Sequence, residues 1–291
     1  MKDHFLIPGL QLWRWRSTAK NQSIAHDISP NEVDWLLQEL AGVDRLFLRL
    51  QPDQPIPSNV SFSALDRAWQ QRIAERTPVQ YLAGIAPWRN FELKVAPGVL
   101  IPRPETELLI DFAIAQDSRL KAGQWVDLGT GSGAIAIGLA LSLPSATVHA
   151  VDRSEEALAI AKSNAESLNA KIQFYQGNWF EPITHLKHSL SGVVSNPPYI
   201  PTETVSTLEP EVRLHEPHLA LDGGTDGLES IRHLIQTAPD YLISGGVWMI
   251  EMMMGQADTI AALLSAQGSY DRITIHKDLA GIERFAIAYR K

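Results

Sequence analysis

The 291-residue chain contains no cysteine. Disulfides and thiolate metal sites are therefore excluded, and the absence fits a reducing compartment. Long apolar runs are also missing: none reaches the ~18 consecutive residues that mark a transmembrane helix. The opening residues, Met1-Lys2-Asp3-His4, lack the apolar core and cleavage site of a signal peptide. Basic residues are in deficit, with 25 Lys+Arg against 33 Asp+Glu and a formal net charge of −8. A protein whose main task is gripping duplex nucleic acid carries a basic excess, so stable nucleic-acid binding is not expected. No His-x-x-x-His lies on a predicted helix, and His185 and His188 read as solvated loop residues, so no metal site is expected. No Gly-x-Ser-x-Gly elbow is present; "GTGSGA" resembles one only superficially. Repeats and low-complexity tracts are absent as well. These absences point to a soluble cytoplasmic protein without membrane contact, and nothing demands an oligomer, so a monomer is expected.

What is present is an ordinary apolar fraction of 45%, enough for a sizeable core. The length suggests one large domain or two, at ~100–200 residues each. Residues 1–80 read as a small helical domain. Val33, Leu36, Leu37 and Leu40 recur at helical spacing, as do Leu65, Ala68 and Ile73. Ser29 and Pro30 suit an N-cap and a first helical position. Trp13, Trp15, Trp35 and Trp69 are read as core, and "QPDQPIPSN" (51–59) as a loop between helices, since its prolines break both helix and strand. Residues 81–104 alternate apolar and polar around Pro97-Gly98, which predicts a linking hairpin. From 105 to 291 strands and helices alternate. The expected strands are 124–128, 147–151, 171–175, 192–195 and 246–251, with helices between them, including one over 228–242. Strands 272–276 and 284–289 leave no room for a crossover helix and are expected as an antiparallel edge hairpin. The fold class is thus α/β, a mainly parallel doubly wound sheet with a small N-terminal helical domain.

"VDLGTGSGA" (126–134) joins the first strand of the sheet to a helix. Gly129, Gly131 and Gly133 permit a tight turn and close approach of a ligand. Asp152, about 20 residues on, ends the next strand and can accept hydrogen bonds from ribose hydroxyls. The pair implies a bound nucleoside rather than an empty turn. A dinucleotide and S-adenosylmethionine both fit this crevice. Asp127, just ahead of the first glycine, tilts the reading toward the methyl donor.

"SNPPYIP" (195–201) follows the apolar run Gly192-Val193-Val194 and falls at the carboxyl edge of the sheet. A planar carboxamide or aromatic amine has a delocalised nitrogen lone pair and is a poor nucleophile. Two acceptors on its N–H bonds would help it pyramidalise and would aim the lone pair. The Asn196 side-chain oxygen is one, and a backbone carbonyl, that of Pro197, is the other. Successive prolines hold the turn rigid. Tyr199 offers a flat face to a flat substrate. The motif suits methylation of an sp² –NH₂ group by alignment and by acceptors preorganised for developing positive charge.

These motifs resemble the peptide-chain release factor N5-glutamine methyltransferases of the HemK type. The similarity covers 75–291, through "RTPVQYLAG", "LIPRPETE", "DLGTGSGAIAI", "AVDRSEEAL", "NWFEP", "SNPPYIP" and "EPHLALDGGTDGL". The helical N-terminal region is similar in size and character to that family's substrate-recognition domain. The resemblance implies methyl transfer from S-adenosylmethionine to the glutamine side-chain amide in the Gly-Gly-Gln loop of peptide chain release factors. It implies that Gly129, Thr130, Gly131, Ser132 and Gly133 hold the donor's methionine and ribose portion, and that Asp152 binds the ribose hydroxyls. Trp179 would flank the adenine, with Asn178 at its edge. Asn196 would contact both donor and substrate, and Pro197, Pro198 and Tyr199 would complete the amide site. Arg103 matches a position near the pocket mouth. Met253 stands where that family often has glycine, while Glu251 and Gln256 remain in place. The run Met252–Met254 is read as core or pocket wall.

Other functions carry distinguishable signatures. An adenine or cytosine amino-methyltransferase acting on DNA or RNA shares the turn but needs a cationic surface and a flipped base. A ribosomal-protein glutamine methyltransferase shares the same motifs. A nicotinamide-dependent oxidoreductase has no use for Asn196-Pro-Pro-Tyr199, and a non-catalytic binding module would bind the donor only weakly.

Overall fold

The structure, a computed structural model, describes residues 5–44, 46 and 53–291. It divides into two compact units, one of residues 1–85 with 209–215, the other of 86–208 with 216–291. The boundary thus lies at Ile85 rather than 80. The hairpin β3–β4 (Ile85–Trp88, Phe91–Lys94) enters the second unit from Ala86 and is not a separate linker.

The first unit is mainly helical, with helices Gly9–Ala25, Asn31–Glu39, Phe62–Glu75 and Val79–Ala83. The second of these begins at Asn31 with Pro30 at the N-cap, one residue later than expected; Pro30 has helical dihedrals and the Ser29 hydroxyl accepts from the Asn31 N–H. Its core gathers Leu12, Val33, Leu36, Leu37, Leu65 and Trp69. Trp15 and Trp35 pack against that core from partly buried positions. Trp13 departs from expectation: it is 49% exposed. It lies one residue past Leu12, about 100° around the helix and off the buried stripe. The proline-rich stretch also differs from a plain loop. Its residues 51 and 52 lie outside the described set, but Ile56–Ser58 forms strand β2, antiparallel to β1 (Phe5–Ile7). Pro57 is tolerated because it is an exposed edge residue in a two-stranded ribbon. The segment 209–215 contributes a short helix, Pro210–His215. Buried Arg72 pairs with Glu32 at 2.6 Å and with Glu211 at 2.8 Å, and Arg76 reaches the same Glu211 at 2.7 Å.

The second unit is built on a seven-stranded sheet of order β10-β11-β9-β8-β5-β6-β7. The strands are β5 (Gln124–Leu128), β6 (Thr147–Asp152), β7 (Ile172–Gln176), β8 (Leu190–Ser195), β9 (Leu242–Glu251), β10 (Tyr270–Lys277) and β11 (Glu283–Arg290). From β7 to β9 all pairs are parallel, whereas β11 is antiparallel to both β9 and β10. The edge hairpin follows from the short 278–282 connection. The segment read as one helix over 228–242 stops earlier. Helix Glu229–Thr237 gives way to a 3₁₀ turn carrying Pro239, and β9 begins at Leu242.

Strand residues alternate between two cores, as the period-two side-chain direction requires. Along β9, Val247 and Met249 join one cluster, Trp248 and Ile250 the other. Helices Leu108–Ile114 and Ala134–Ser142 supply Leu109, Ile110 and Ile137 to the first face. Helices Glu229–Thr237 and Ala257–Gln267 supply Ile231, Leu234, Ile260 and Leu264 to the second. Helix Glu155–Ser167 is capped as expected, with the Ser154 hydroxyl accepting from the Ala157 N–H and Glu155 and Glu156 in its positive first turn.

Candidate active site

The strand order reverses between β5 and β8, and open α/β sheets bind ligands outside the carboxyl ends of the strands at such a point. Register makes the placement specific. Leu128 is level with Ser195, whose Oγ donates to the Leu128 carbonyl at 2.6 Å, and Leu128 is level with Val151. The glycine loop, Asn196 and Asp152 therefore leave three adjacent strands side by side. They line one cavity of about 430 Å³. That is the size of a small-molecule site, which spans ~300–1,000 Å³.

The loop is a cradle of backbone N–H groups. Gly129 and Thr130 both donate to the Val151 carbonyl, and Gly131 donates to Asp152 Oδ2 at 2.8 Å. Asp152 Oδ1 accepts from the Ser154 N–H at 2.9 Å, so each carboxylate oxygen retains a lone pair. Gly131 has φ +54°, and a Cβ there would point into open space. Gly133 does a different job. A Cβ on it would lie 3.1 Å from that of Ala161, so its bareness lets two helices approach. The Asn164 amide secures the loop from behind, donating to the Ser132 and Lys94 carbonyls and accepting from the Lys94 N–H.

Beneath the loop Asp127 is fully buried. Its Oδ2 accepts from the Thr130 hydroxyl and the Ala136 N–H, while Oδ1 has no partner among the described residues. Burial pushes this carboxyl up to about 7. Trp179 closes the other side, its ring edge 3.5 Å from where a Gly129 Cβ would be. Its φ is +49°, a left-handed conformation that costs a tryptophan of order 1–3 kcal/mol and clusters at ligand sites.

The sequence-predicted residues thus divide. Gly129, Thr130, Gly131, Ser132, Asp152, Asn178, Trp179, Asn196, Pro198 and Arg103 line the cavity; Gly133, Pro197 and Tyr199 do not. The Tyr199 hydroxyl instead donates to Glu251 at 3.1 Å. Arg103 Nη2 donates to the buried Glu216 at 2.6 Å. Met252 is core, Met253 is half-buried, and Met254 is exposed at 65%; none of the three lines the cavity. Met254 therefore corrects the reading of that run as core or wall: it falls in the turn after β9, beyond the sheet. No cluster of His, Asp or Glu suited to a metal occurs among the described residues.

Several residues escaped sequence reasoning. Thr106 lines the cavity and touches both Asn196 and Glu251. Gln256 donates to the Tyr199 and Gly227 carbonyls, and Gly223 packs a backbone face on Pro198. Asn164 had a visible signal, a polar residue on the apolar stripe of Leu158, Ala161 and Ala165. Thr106, Gln256 and Gly223 stand at positions the resemblance covers, but their contacts had no local signal, because their partners lie far away in sequence.

Comparison with known proteins bears on the site. Residues 14–84 match the PrmC N-terminal domain and residues 104–211 the Methyltransferase small domain. The release factor glutamine methyltransferase of Synechocystis sp. is 51% identical over 97% of this chain and 97% of its own length. That of Thermosynechococcus vestitus is 49% identical over 88% and 90%. Among solved structures, the hMettl16 catalytic domain in complex with a 3′UTR hairpin shares the fold, with TM-score 0.54 at 14% identity over 78% of this chain and 80% of that one. With that identity sustained along nearly its whole length, the chain belongs to the release factor glutamine methyltransferase family.

Proposed function

We infer that the chain transfers a methyl group from S-adenosylmethionine to the side-chain amide nitrogen of a glutamine in a peptide chain release factor. The observation that carries this is the meeting of Asn196 with the glycine loop and Asp152 in one cavity. The residues fit the donor. Gly131 leaves space where a side chain would intrude, and Asp152 keeps acceptor capacity for ribose hydroxyls. Gly129, Thr130, Gly131, Ser132, Asp152 and Trp179 would hold it, with Asn178 at the adenine edge. When bound, it supplies an electrophilic methyl on a sulfonium.

The chain's own part is alignment. The Asn196 side-chain oxygen accepts one N–H of the substrate amide and the Pro197 carbonyl the other, which turns the nitrogen lone pair out of conjugation. The Tyr199 and Ile200 carbonyls are already taken by Gln256 and by the Gly223 N–H, so the second acceptor comes from earlier in the turn. Pro198 forms wall beside the amide, and Tyr199 braces the turn through Glu251. No general base is needed, since the cationic nitrogen loses its proton to water after transfer.

We read the enzyme as a cytoplasmic monomer that meets its release factor transiently and holds no nucleic acid. No described helix is long and apolar enough to cross a membrane. The deciding experiment supplies labelled donor with a release factor, its loop Gln→Ala variant, a ribosomal protein and duplex DNA. Label is expected on the unaltered release factor alone. Label on DNA, with none on release factor, would replace this reading with base methylation.

A further inference from the structure

An asparagine amide can present either end to a substrate, and what decides the end shown by Asn196 lies one step behind the cavity. Glu251 ends β9, beside the end of β8, and is 1% exposed. Its Oε2 accepts from the Thr106 hydroxyl at 2.6 Å and its Oε1 from the Tyr199 hydroxyl at 3.1 Å. An ionised carboxylate has no proton to give. While Glu251 is ionised, the single Thr106 proton is committed to it, and only lone pairs remain on Thr106 Oγ1. Asn196 Nδ2 lies 3.3 Å from that oxygen. Only the NH₂ end of Asn196 can satisfy it. The reversed amide would set two oxygens against each other with no proton between them.

We propose that Thr106 and Glu251 are positioning residues that lock the Asn196 amide with its oxygen toward the reacting nitrogen. The proposal rests on the glutamine-methylation reading above. The lock runs in one direction only while Glu251 is ionised. A protonated Glu251 would donate to Thr106, free the Thr106 proton for the Asn196 oxygen and turn the amide round. Burial raises the Glu251 carboxyl, as does Glu105. The Thr106 and Tyr199 hydroxyls and the positive Arg284 of β11 lower it.

The test uses the full chain, labelled S-adenosylmethionine and a release factor, with Thr106→Val, Thr106→Ser and Glu251→Gln. Thr106→Val is expected to lose at least tenfold in kcat, on the scale of weakening one preorganised group. Its KM for release factor and Kd for donor should stay within about threefold, and Thr106→Ser should restore kcat, because the hydroxyl rather than the methyl carries the lock. Wild-type kcat in Thr106→Val, or equal losses in the valine and serine variants, overturns the proposal. Should Thr106→Val lack a cooperative unfolding transition, Glu251→Gln decides. Its kcat should be reduced and should lack the acid limb that protonation of Glu251 gives the wild type. An unchanged kcat with the same acid limb rejects the lock. A wild-type chain that leaves release factor unlabelled refutes the underlying reading, and the lock with it.

Discussion

A Cβ placed on Gly227 would lie 2.3 Å from the carbonyl oxygen of Tyr199. The backbone of the segment 221–227 is laid directly against the Asn-Pro-Pro-Tyr turn. Ile200 donates to Leu221, Gly223 donates to Ile200, and Thr202 donates to Gly224. A Cβ on Gly223 would likewise meet the Pro198 carbonyl at 2.8 Å. The turn that carries the chemistry is thus clasped by main chain, which explains Gly223 and Gly227 of "LDGGTDGL".

Gly227→Ala should therefore damage catalysis without touching the donor pocket. The clash is with backbone, and φ there is +74°, so strain of order 1–3 kcal/mol adds to the displacement of the turn. The expected result is a lower unfolding midpoint and a fall in kcat, with donor affinity nearly unchanged by calorimetry. Wild-type kcat in this variant would mean that the clasp does not set the turn.

Asn196→Ala removes the side-chain acceptor. The expected loss is about 10²–10³ in kcat, the scale for deleting one preorganised group at a developing charge. Donor binding should change much less. Near-normal turnover measured with labelled donor would remove Asn196 from its assigned role.

Asp127 makes stability depend on pH. Burial raises its pKa from 3.8 to about 7, against the opposing Thr130 and Ala136 hydrogen bonds. The folded state thus holds a proton that the unfolded chain releases. Its contribution is complete below the ordinary value of 3.8 and is lost as pH rises through about 7. Asp127→Asn keeps an acceptor for both donors and removes the titration. Without donor, the variant should gain on the wild type between pH 4 and 7 and hold a constant advantage above, of the order of a few kcal/mol. Thermal melts across pH check this; parallel curves would show that Asp127 ionises freely.

Arg72 holds the segment 209–215 within the first unit. The guanidinium side chain is 4% exposed, while its partners Glu32 and Glu211 are 24% and 19% exposed. Arg72→Met should destabilise that unit by about 3 kcal/mol, the low end for removing one partner of a buried pair, because the remaining carboxylates reach water. Limited proteolysis should then cut faster near Glu211. Unaltered cleavage and an unaltered melt would show the pairing to be energetically idle.

Much of the second unit was legible from local pattern. Apolar strands of β5, β6 and β8, the Ser154 cap and the glycine turn each declare themselves within a few residues. So did the edge hairpin, because the connection between β10 and β11 is too short for a crossover. The first unit was less legible. The helix Gly9–Ala25 spreads apolar residues around its surface, with Leu12 buried and Leu10 and Trp13 exposed, so periodicity gave no clean stripe. Strand β2 was hidden because Pro57 argues against pairing unless the strand is known to be an edge.

The site followed the same division. Asn196, Asp152 and the glycine loop could be named from sequence because each motif is a contiguous run whose backbone geometry its own residues impose. Their convergence on one cavity, the lock from Glu251 through Thr106 to Asn196, and the clasp of Gly223 and Gly227 on the turn were decided only by tertiary structure. Hydrogen bonds and close approaches between residues 90 or 145 positions apart depend on strand order and register. Those are set by packing the whole sheet, and no local stretch of the chain encodes them.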